Sequence, residues 1–149
     1  MTGAGDALDR FEARLGHAFR DRALLVEALT HRSFVNEHPG ARDNEGLAFL
    51  GDAVLALVVA EHLRAADPDA PVGVLTPRRA ELVSGPSLAR WAEQLALGPH
   101  LRLGRGEQQT GGPGKESVLA TALEAVVGAV YLEAGLPGAR RVVASLAVW

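Results

Sequence analysis

Three acidic residues stand in segments that are otherwise strongly apolar. Glu45 and Asp52 are seven residues apart, so on a helix they lie two turns apart along one face, and Glu124 has apolar neighbours further along the chain. A carboxylate in such surroundings is costly unless a donor or a cation satisfies it. An arginine partner or a capped loop can satisfy each acid separately. Asp52 and Glu124 together can instead share a divalent cation, because hard cations prefer oxygen ligands.

The elements that must position these acids follow a helical period, and strand-like alternation is scarce. Two segments, residues 44–66 and 116–134, are apolar over faces too wide for surface helices, so we expect both to be buried centrally. The spacing of apolar residues predicts further helices near the N-terminus and after Asp21, which can cap a helix.

Threonine, serine, proline and glycine mark the predicted ends of the remaining helices. Thr76 followed by Pro77 predicts an N-cap and a proline at the first helical position, and Ser87 predicts the cap of the next helix. Residues 104–114 contain five glycines and one proline, which indicates a flexible connector. Gly135 predicts the end of the second long helix, before a last helix. The pattern predicts one all-α domain of about seven helices.

The composition is that of one ordinary domain of 149 residues, and without cysteine it has no disulfide and no cysteine-based zinc site. No uninterrupted apolar run reaches the ~18 residues of a membrane span, and residues 1–10 lack the order of a signal peptide. We therefore expect a soluble cytoplasmic protein. The net charge of −3 argues against a stand-alone nucleic-acid binder, because such binding depends on neutralising phosphates. Composition alone favours a soluble helical domain without nucleic acid.

Residues 44–54 read Asn-Glu-Gly-Leu-Ala-Phe-Leu-Gly-Asp-Ala-Val, and a second ordered block precedes them at residues 29–37. Together with the blocks that follow, these segments resemble the conserved blocks of the ribonuclease III family, in the same order. The resemblance runs from about residue 8 to residue 145, and it implies the all-α endonuclease-domain fold of that family. The later blocks lie at residues 75–83, 87–90, 97–98, 101–107, 115–120 and 124–125.

The resemblance implies a metal-dependent hydrolysis of double-stranded RNA. In the family, each subunit of a homodimer gathers carboxylates around Mg²⁺, for which Mn²⁺ can substitute, and the ions activate a water and stabilise the leaving oxygen. Carried over residue by residue, Asp52 and Glu124 match metal-binding catalytic acids, and Glu45 matches a further acid of the site. Phe49 matches the phenylalanine that enters a socket on the partner subunit and is assigned to the dimer interface.

Four positions depart from the family pattern. Ala48 stands where the family has a metal-binding glutamate, and Thr121 where it has an aspartate three residues before Glu124. Val72 occupies a loop position where glutamate is frequent, and Gly46 replaces the usual arginine. Positions 48 and 52 share one face of their helix, and positions 121 and 124 share one face of theirs. We expect these two pairs to converge on one pocket, which has two negative charges fewer than in the family pattern. Because Mg²⁺ loses water reluctantly, fewer anionic ligands predict weak metal binding and strongly reduced cleavage or none.

A histidine and three basic residues complete the candidate set. His31 could appear catalytic, but we interpret it as a satisfied histidine at a helix end. Arg78, Arg79 and Lys115 can contact RNA phosphates, or they can be ordinary solvated surface charges.

Most members of the family carry a double-stranded-RNA-binding domain after the nuclease domain. This sequence stops at Trp149, so either the protein lacks that module or the module was removed from it. We expect a single nuclease domain over residues 1–149 which, without that module, has modest, salt-sensitive RNA affinity. Three functions stay open. The first is binding or processing of double-stranded RNA with degraded metal sites, and the second is an active Mg²⁺-dependent endoribonuclease. The third is a catalytically silent dimer, or a partner subunit for an active paralogue, in a ribonucleoprotein; partial loss of ligands favours the first and third.

Overall fold

Eight α-helices and two one-turn 3₁₀ helices make up the chain in a computed structural model, which describes residues 3–147 and residue 149. Within those residues no strand is present, so the predicted all-α fold is confirmed, with eight α-helices rather than about seven. The first two residues of the stretch compared with a signal peptide lie outside the described residues. The helices are α1 (Ala4–Leu15), α2 (Arg22–Ala28), α3 (Arg32–Glu37), α4 (Glu45–Ala66), α5 (Val72–Leu82), α6 (Gly85–Gln94), α7 (Arg105–Gln109) and α8 (Glu116–Leu146), with 3₁₀ turns at Gly98–His100 and Gly112–Gly114.

Side-chain caps set the starts of α2 and α3. The backbone N–H of Ala23 donates to Asp21 Oδ1 at 3.1 Å, so the predicted cap of α2 is confirmed. The N–H of Ser33 donates to His31 Nδ1 at 3.1 Å, which makes His31 the N-cap of α3. The interpretation of His31 as a helix-end histidine is therefore also confirmed.

The start of α5 differs from the prediction. α5 begins at Val72 with Pro71 as its N-cap, and Pro77 lies inside the helix. Thr76 is therefore not an N-cap, and Val72 belongs to the first turn of a helix rather than to a loop. Pro77 removes the hydrogen bond that the carbonyl of Gly73 would accept, but Gly73 is exposed, so water can supply the missing donor.

Two further predictions, one about a helix cap and one about a connector, are wrong. Ser84, not Ser87, caps α6, and the backbone N–H of Ser87 lies 3.4 Å from the Ser84 hydroxyl oxygen that accepts it. Residues 104–114, expected to be a connector, contain α7 and a 3₁₀ turn. Gly104 explains part of this order, because its N–H donates to Ser33 Oγ at 2.8 Å and its Cα packs against the Ser33 carbonyl, where a side chain would clash.

Helices α4 and α8 cross at two glycines in the centre of the core. A Cβ placed on Gly51 would overlap the carbonyl oxygen of Glu124, and a Cβ on Gly128 would overlap the carbonyl oxygen of Leu47. The two backbones therefore touch without a side chain between them, and the predicted packing of the two long apolar segments is confirmed. By length and composition alone each helix could cross a membrane, but in this fold the buried residues of both helices form the centre of the domain core.

Buried polar contacts fix both ends of this helix pair. Asn44, which is 2% exposed just before α4, donates from Nδ2 to the carbonyl of Ala28 at 3.1 Å. α8 is interrupted at Gly135 (φ 65°, ψ −167°), where the end of the helix was predicted, and then resumes. Two residues before the break, Glu133 accepts the backbone N–H of Asp21 at 2.9 Å and contacts His17 Nε2 at 2.8 Å. The long helices are thus tied to the N-terminal ones.

We expect Gly51→Ala to lower the free energy of unfolding by about 2 kcal/mol or more, because overpacking against backbone cannot be relieved by a side-chain rotation. Gly46→Ala is the matched control. Gly46 lies on the same helix, is exposed, and an added Cβ there would meet nothing within 4 Å. The control should gain up to about 1 kcal/mol from helix propensity. Urea denaturation of both variants measures the difference, and equal stabilities would contradict the close backbone contact.

Candidate active site

Asp52 and Glu124 meet where α4 crosses α8, and we refer to them as the acid pair. Asp52 directly follows Gly51, and Gly51 packs against the backbone carbonyl of Glu124. The two carboxyl groups lie within hydrogen-bonding reach of each other. Asp52 is exposed and Glu124 is half-buried, so the pair sits at the rim of the core and is open to solvent on one side.

The protonation of Glu124 is strongly perturbed by this arrangement. Burial, a hydrogen bond with Asp52 and the charge of Asp52, in that order, raise the pKa of Glu124 to about 7. Near neutral pH the pair therefore shares a proton between its carboxyl groups. Every neighbour that acts on Glu124 raises its pKa, and among the described residues neither acid forms an ion pair with a cationic side chain, so once ionised the pair is electrostatically suited to a bound cation.

The other positions expected around the site add no charge to the pair. Glu45 lies at the exposed start of α4, with Oε2 3.7 Å from Arg32 Nη1. Ala48 is buried and has no atom that can bind a metal ion. Thr121 is half-buried and offers only a neutral hydroxyl. Across residues 3–147 and 149, no group of three or more His, Asp or Glu side chains comes together to hold a metal ion. The candidate centre therefore contains two carboxylates only.

The three basic candidates differ in how far carboxylates already compensate them. Lys115 Nζ donates to Glu107 Oε2 at 2.6 Å, and this contact lowers the pKa of Glu107. Arg78 Nη1 lies 3.4 Å from Glu81 Oε1. Arg79 is exposed, has no ion pair within the described part of the chain, and borders a cavity between α4 and α5. Of the three, Arg79 has the charge most available to a phosphate.

Phe49 is 85% exposed, the highest fraction among the exposed large apolar side chains. It lies on the outer face of α4. Ala60 lies on the same face three turns further along, because eleven residues complete about three turns. At Ala60 the helix borders a cavity of about 200 Å³ between α4 and α5. The apolar residues that line this cavity are Ala60, Leu63, Val72 and Leu75.

The residues that decide where the acids lie are Gly51 and Gly128, which the sequence reasoning missed. A glycine inside an apolar helix costs about 1 kcal/mol relative to alanine. Two such glycines in the two longest apolar helices were the available signal, because a glycine kept at that cost marks a close backbone approach.

A family model described as ribonuclease-III-like matches residues 21–148 of the chain. A ribonuclease 3 of Symbiobacterium thermophilum is 54% identical over 129 residues, which make up 87% of this chain and 54% of that protein. A ribonuclease 3 of Pseudomonas aeruginosa is 48% identical over 142 residues, or 95% of this chain and 60% of that protein. The chain thus spans somewhat more than half the length of these curated relatives.

Solved structures agree with the sequence comparison. The nuclease domain of ribonuclease III from Campylobacter jejuni superimposes with a TM-score of 0.88 at 41% identity, covering 93% of this chain and 94% of that one. A second structure of that domain gives a TM-score of 0.84 at 40% identity, covering 95% and 93%. The first is described as showing structural flexibility in a region involved in dimer formation.

The acid pair predicts a pH-dependent stability in the metal-free protein. Since folding raises the pKa of Glu124 from 4.5 to about 7, its contribution to stability is fully present below pH 4.5 and is lost as the pH rises through 7. We expect Glu124→Gln to match the parent near pH 4.5 and to exceed its free energy of unfolding by about 1–3 kcal/mol at pH 8. Urea denaturation in EDTA measures this, with exposed Glu45→Gln as the control. Parallel pH profiles for the parent and Glu124→Gln would refute the coupling.

Proposed function

Because this chain belongs to the ribonuclease III family, we propose that it acts on double-stranded RNA with metal-dependent cleavage that is weakened relative to fully acidic members. One observation carries the proposal: the acid pair stands alone at the crossing of α4 and α8. Ala48 precedes Asp52 by one turn and Thr121 precedes Glu124 by one turn, so each uncharged residue faces the same way as the acid on its own helix.

The donor set of the acid pair fits one divalent cation such as Mg²⁺ or Mn²⁺. Two carboxylates lie together without a compensating cation, and these ions take oxygen ligands while keeping several waters. Asp52 and Glu124 would hold the ion. The neutral side-chain oxygen closest to Glu124 along α8 is the hydroxyl of Thr121, three residues before it. When bound, such an ion supplies Lewis acidity at the phosphodiester and lowers the pKa of an attacking water.

The chain's own residues account for the expected weakness. Metal binding has to displace the proton that the acid pair shares near neutral pH, so affinity is reduced at neutral pH and increases as the pH rises. A glutamate at position 48 and an aspartate at position 121 would double the anionic charge around the ion. Without them, Asp52 and Glu124 have to orient both the ion and the scissile phosphate, and positional precision is what the rate depends on.

An active Mg²⁺-dependent endoribonuclease is the second candidate function. The observation in its favour is that the two carboxylates are present and adjacent, and that no arginine or lysine in the described part of the chain forms an ion pair with either of them. The two candidates differ in the measured rate rather than in the substrate, so a cleavage assay separates them. A catalytically silent subunit would show no cleavage, even after the missing acids are supplied.

We also propose that two copies pair through the outer face of α4. Phe49 lies on this face with Ala53, Ala56 and Ala60, whose small side chains let a partner helix approach closely. In a two-fold dimer both subunits use the same patch, so Phe49 of one copy can enter the cavity beside Ala60 of the other. Arg79 borders this cavity, and the pairing would bring it close to RNA bound along the interface.

The catalytic proposal predicts slow cleavage that two substitutions restore. In excess Mg²⁺ or Mn²⁺ we expect the chain to cleave double-stranded RNA at least about 100-fold more slowly than a relative with all four acids, the typical cost of one lost electrostatic group. Ala48→Glu combined with Thr121→Asp should recover cleavage, while either change alone gains little. Single-turnover assays measure the rates, and Mg²⁺ should raise the melting temperature of the double variant more than that of the parent.

Asp52→Asn is the control for this experiment, because it should abolish any residual metal-dependent cleavage. Rapid cleavage by the parent chain, lost in Asp52→Asn, would overturn the weakened-enzyme proposal in favour of the active enzyme. A folded double variant that binds Mg²⁺ without cleaving would favour the silent subunit.

The dimer proposal predicts that Phe49→Ala dissociates the pair. A buried aromatic anchor at the centre of an interface is worth about 2–4 kcal/mol, so the dimer dissociation constant should rise by about 30-fold or more. Ala60→Glu, which places a charge at the cavity, should have a similar effect. Leu132→Ala is the matched control, since Leu132 is 57% exposed on α8, away from the proposed face. Sedimentation velocity of a dilution series gives the constants, and a parent chain that stays monomeric at micromolar concentration would contradict the proposal.

A further inference from the structure

A second cavity is formed by α1, α2, the first 3₁₀ turn and Arg102, which follows that turn. Its volume is about 420 Å³, within the range of small-molecule sites. Leu8, Val26 and Leu29 supply aliphatic walls, while His100 and Arg102 supply its polar groups. None of its lining residues belongs to the acid pair or to the outer face of α4.

The polar side of this cavity is cationic. Arg14 Nη2 lies 3.5 Å from His100 Nε2, and Arg14 is held there because its Nε donates to the carbonyl of Leu95 at 2.8 Å. Burial, then Arg14, then Arg10 lower the pKa of His100, which favours the neutral imidazole. Within the described residues neither Arg10 nor Arg14 forms an ion pair with a carboxylate.

Arg102 adds a third positive charge with a fixed orientation. Its guanidinium stacks over the ring of Phe34, 4.2 Å from the centroid, and Nη1 lies 3.4 Å from Thr30 Oγ1. Arg102 thus lines the cavity together with His100, while Arg14 and Arg10 lie close enough to His100 to act on its charge, in a chain whose net charge is −3. A concentration of uncompensated positive charge beside an aliphatic wall is complementary to a ligand that carries one anionic group on an apolar body.

We propose that this cavity binds a small amphipathic anion, with its apolar body against Leu8, Val26 and Leu29 and its phosphate, sulfonate or carboxylate at Arg102, on the side of the cavity next to Arg14 and Arg10. The apolar body gains free energy by leaving water, and the anionic group finds donors that need no desolvation of a competing carboxylate. The site is separate from the acid pair, which repels anions.

The test is calorimetric titration of the full chain with 1-naphthyl phosphate, which has an aromatic body and one phosphate. We expect one saturable site per chain, with affinity at least about tenfold above that for 1-naphthol, which lacks the charge, and for inorganic phosphate, which lacks the body. No saturable binding would overturn the proposal. Equal affinity for inorganic phosphate would also overturn it, because the cavity would then take no part.

Two variants locate the site. Ala7 lines the cavity and is only partly buried, so Ala7→Trp should fill the space and weaken binding by about tenfold or more. Arg10→Gln, at an exposed position, should weaken it by roughly threefold. Arg141→Gln, an exposed arginine on α8, is the matched control and should bind like the parent. Unchanged affinity in both folded cavity variants would place the binding elsewhere and refute the proposal.

Discussion

Helices α4 and α8 touch through their backbones at Gly51 and Gly128, and the rest of the structure depends on this contact. The side chains that would normally separate two packed helices are missing at the crossing, so the helix axes come as close as their main chains permit. Since close-packed interiors transmit small displacements, the position of the residue that follows Gly51 is determined as tightly as the crossing itself. The acid pair inherits its separation from main-chain packing rather than from loops.

The geometry of α4 links three requirements within four residues. At 100° per residue, Gly51 lies about 200° from Phe49 and so nearly opposite to it, while Asp52 is about 60° from Phe49. One side of the helix therefore faces α8, the opposite side is free to meet another subunit, and the carboxylate lies on the boundary between the two. Any rotation of α4 that improved one of these contacts would disturb the others.

Periodicity was sufficient to predict the long helices, because their apolar residues recur over many turns and no local signal competes with them. The caps at Asp21 and His31 were also readable, since each acts on a backbone N–H two residues away. Predictions failed where a local signal has more than one meaning. Pro77 is tolerated within an exposed helix, and Ser87 is preceded by a second serine that caps instead. Solvent exposure decided the first case, and a local hydrogen bond from the Ser87 N–H to the Ser84 hydroxyl decided the second.

The candidate site was predictable only in part, for a similar reason. Apolar neighbours drew attention to the acids, and the family resemblance supplied their pairing, but the proximity of their carboxyl groups depends on a helix crossing that periodicity does not encode. Glu45 shows the limit of reasoning from spacing. It lies two turns from Asp52 on the same helix, yet it faces Arg32 at the exposed end.

Burial of Ala48 has an evolutionary consequence. The methyl group at this position is 7% exposed, one turn from an acid pair that already retains a proton at neutral pH. A third carboxylate there would add charge repulsion and desolvation to the metal-free fold, so exchanging it for alanine relieves a strain that only a bound ion otherwise offsets. Selection for stability therefore favours alanine over a carboxylate at this position. A domain of this kind can therefore carry fewer charges beside the acid pair without becoming less well folded.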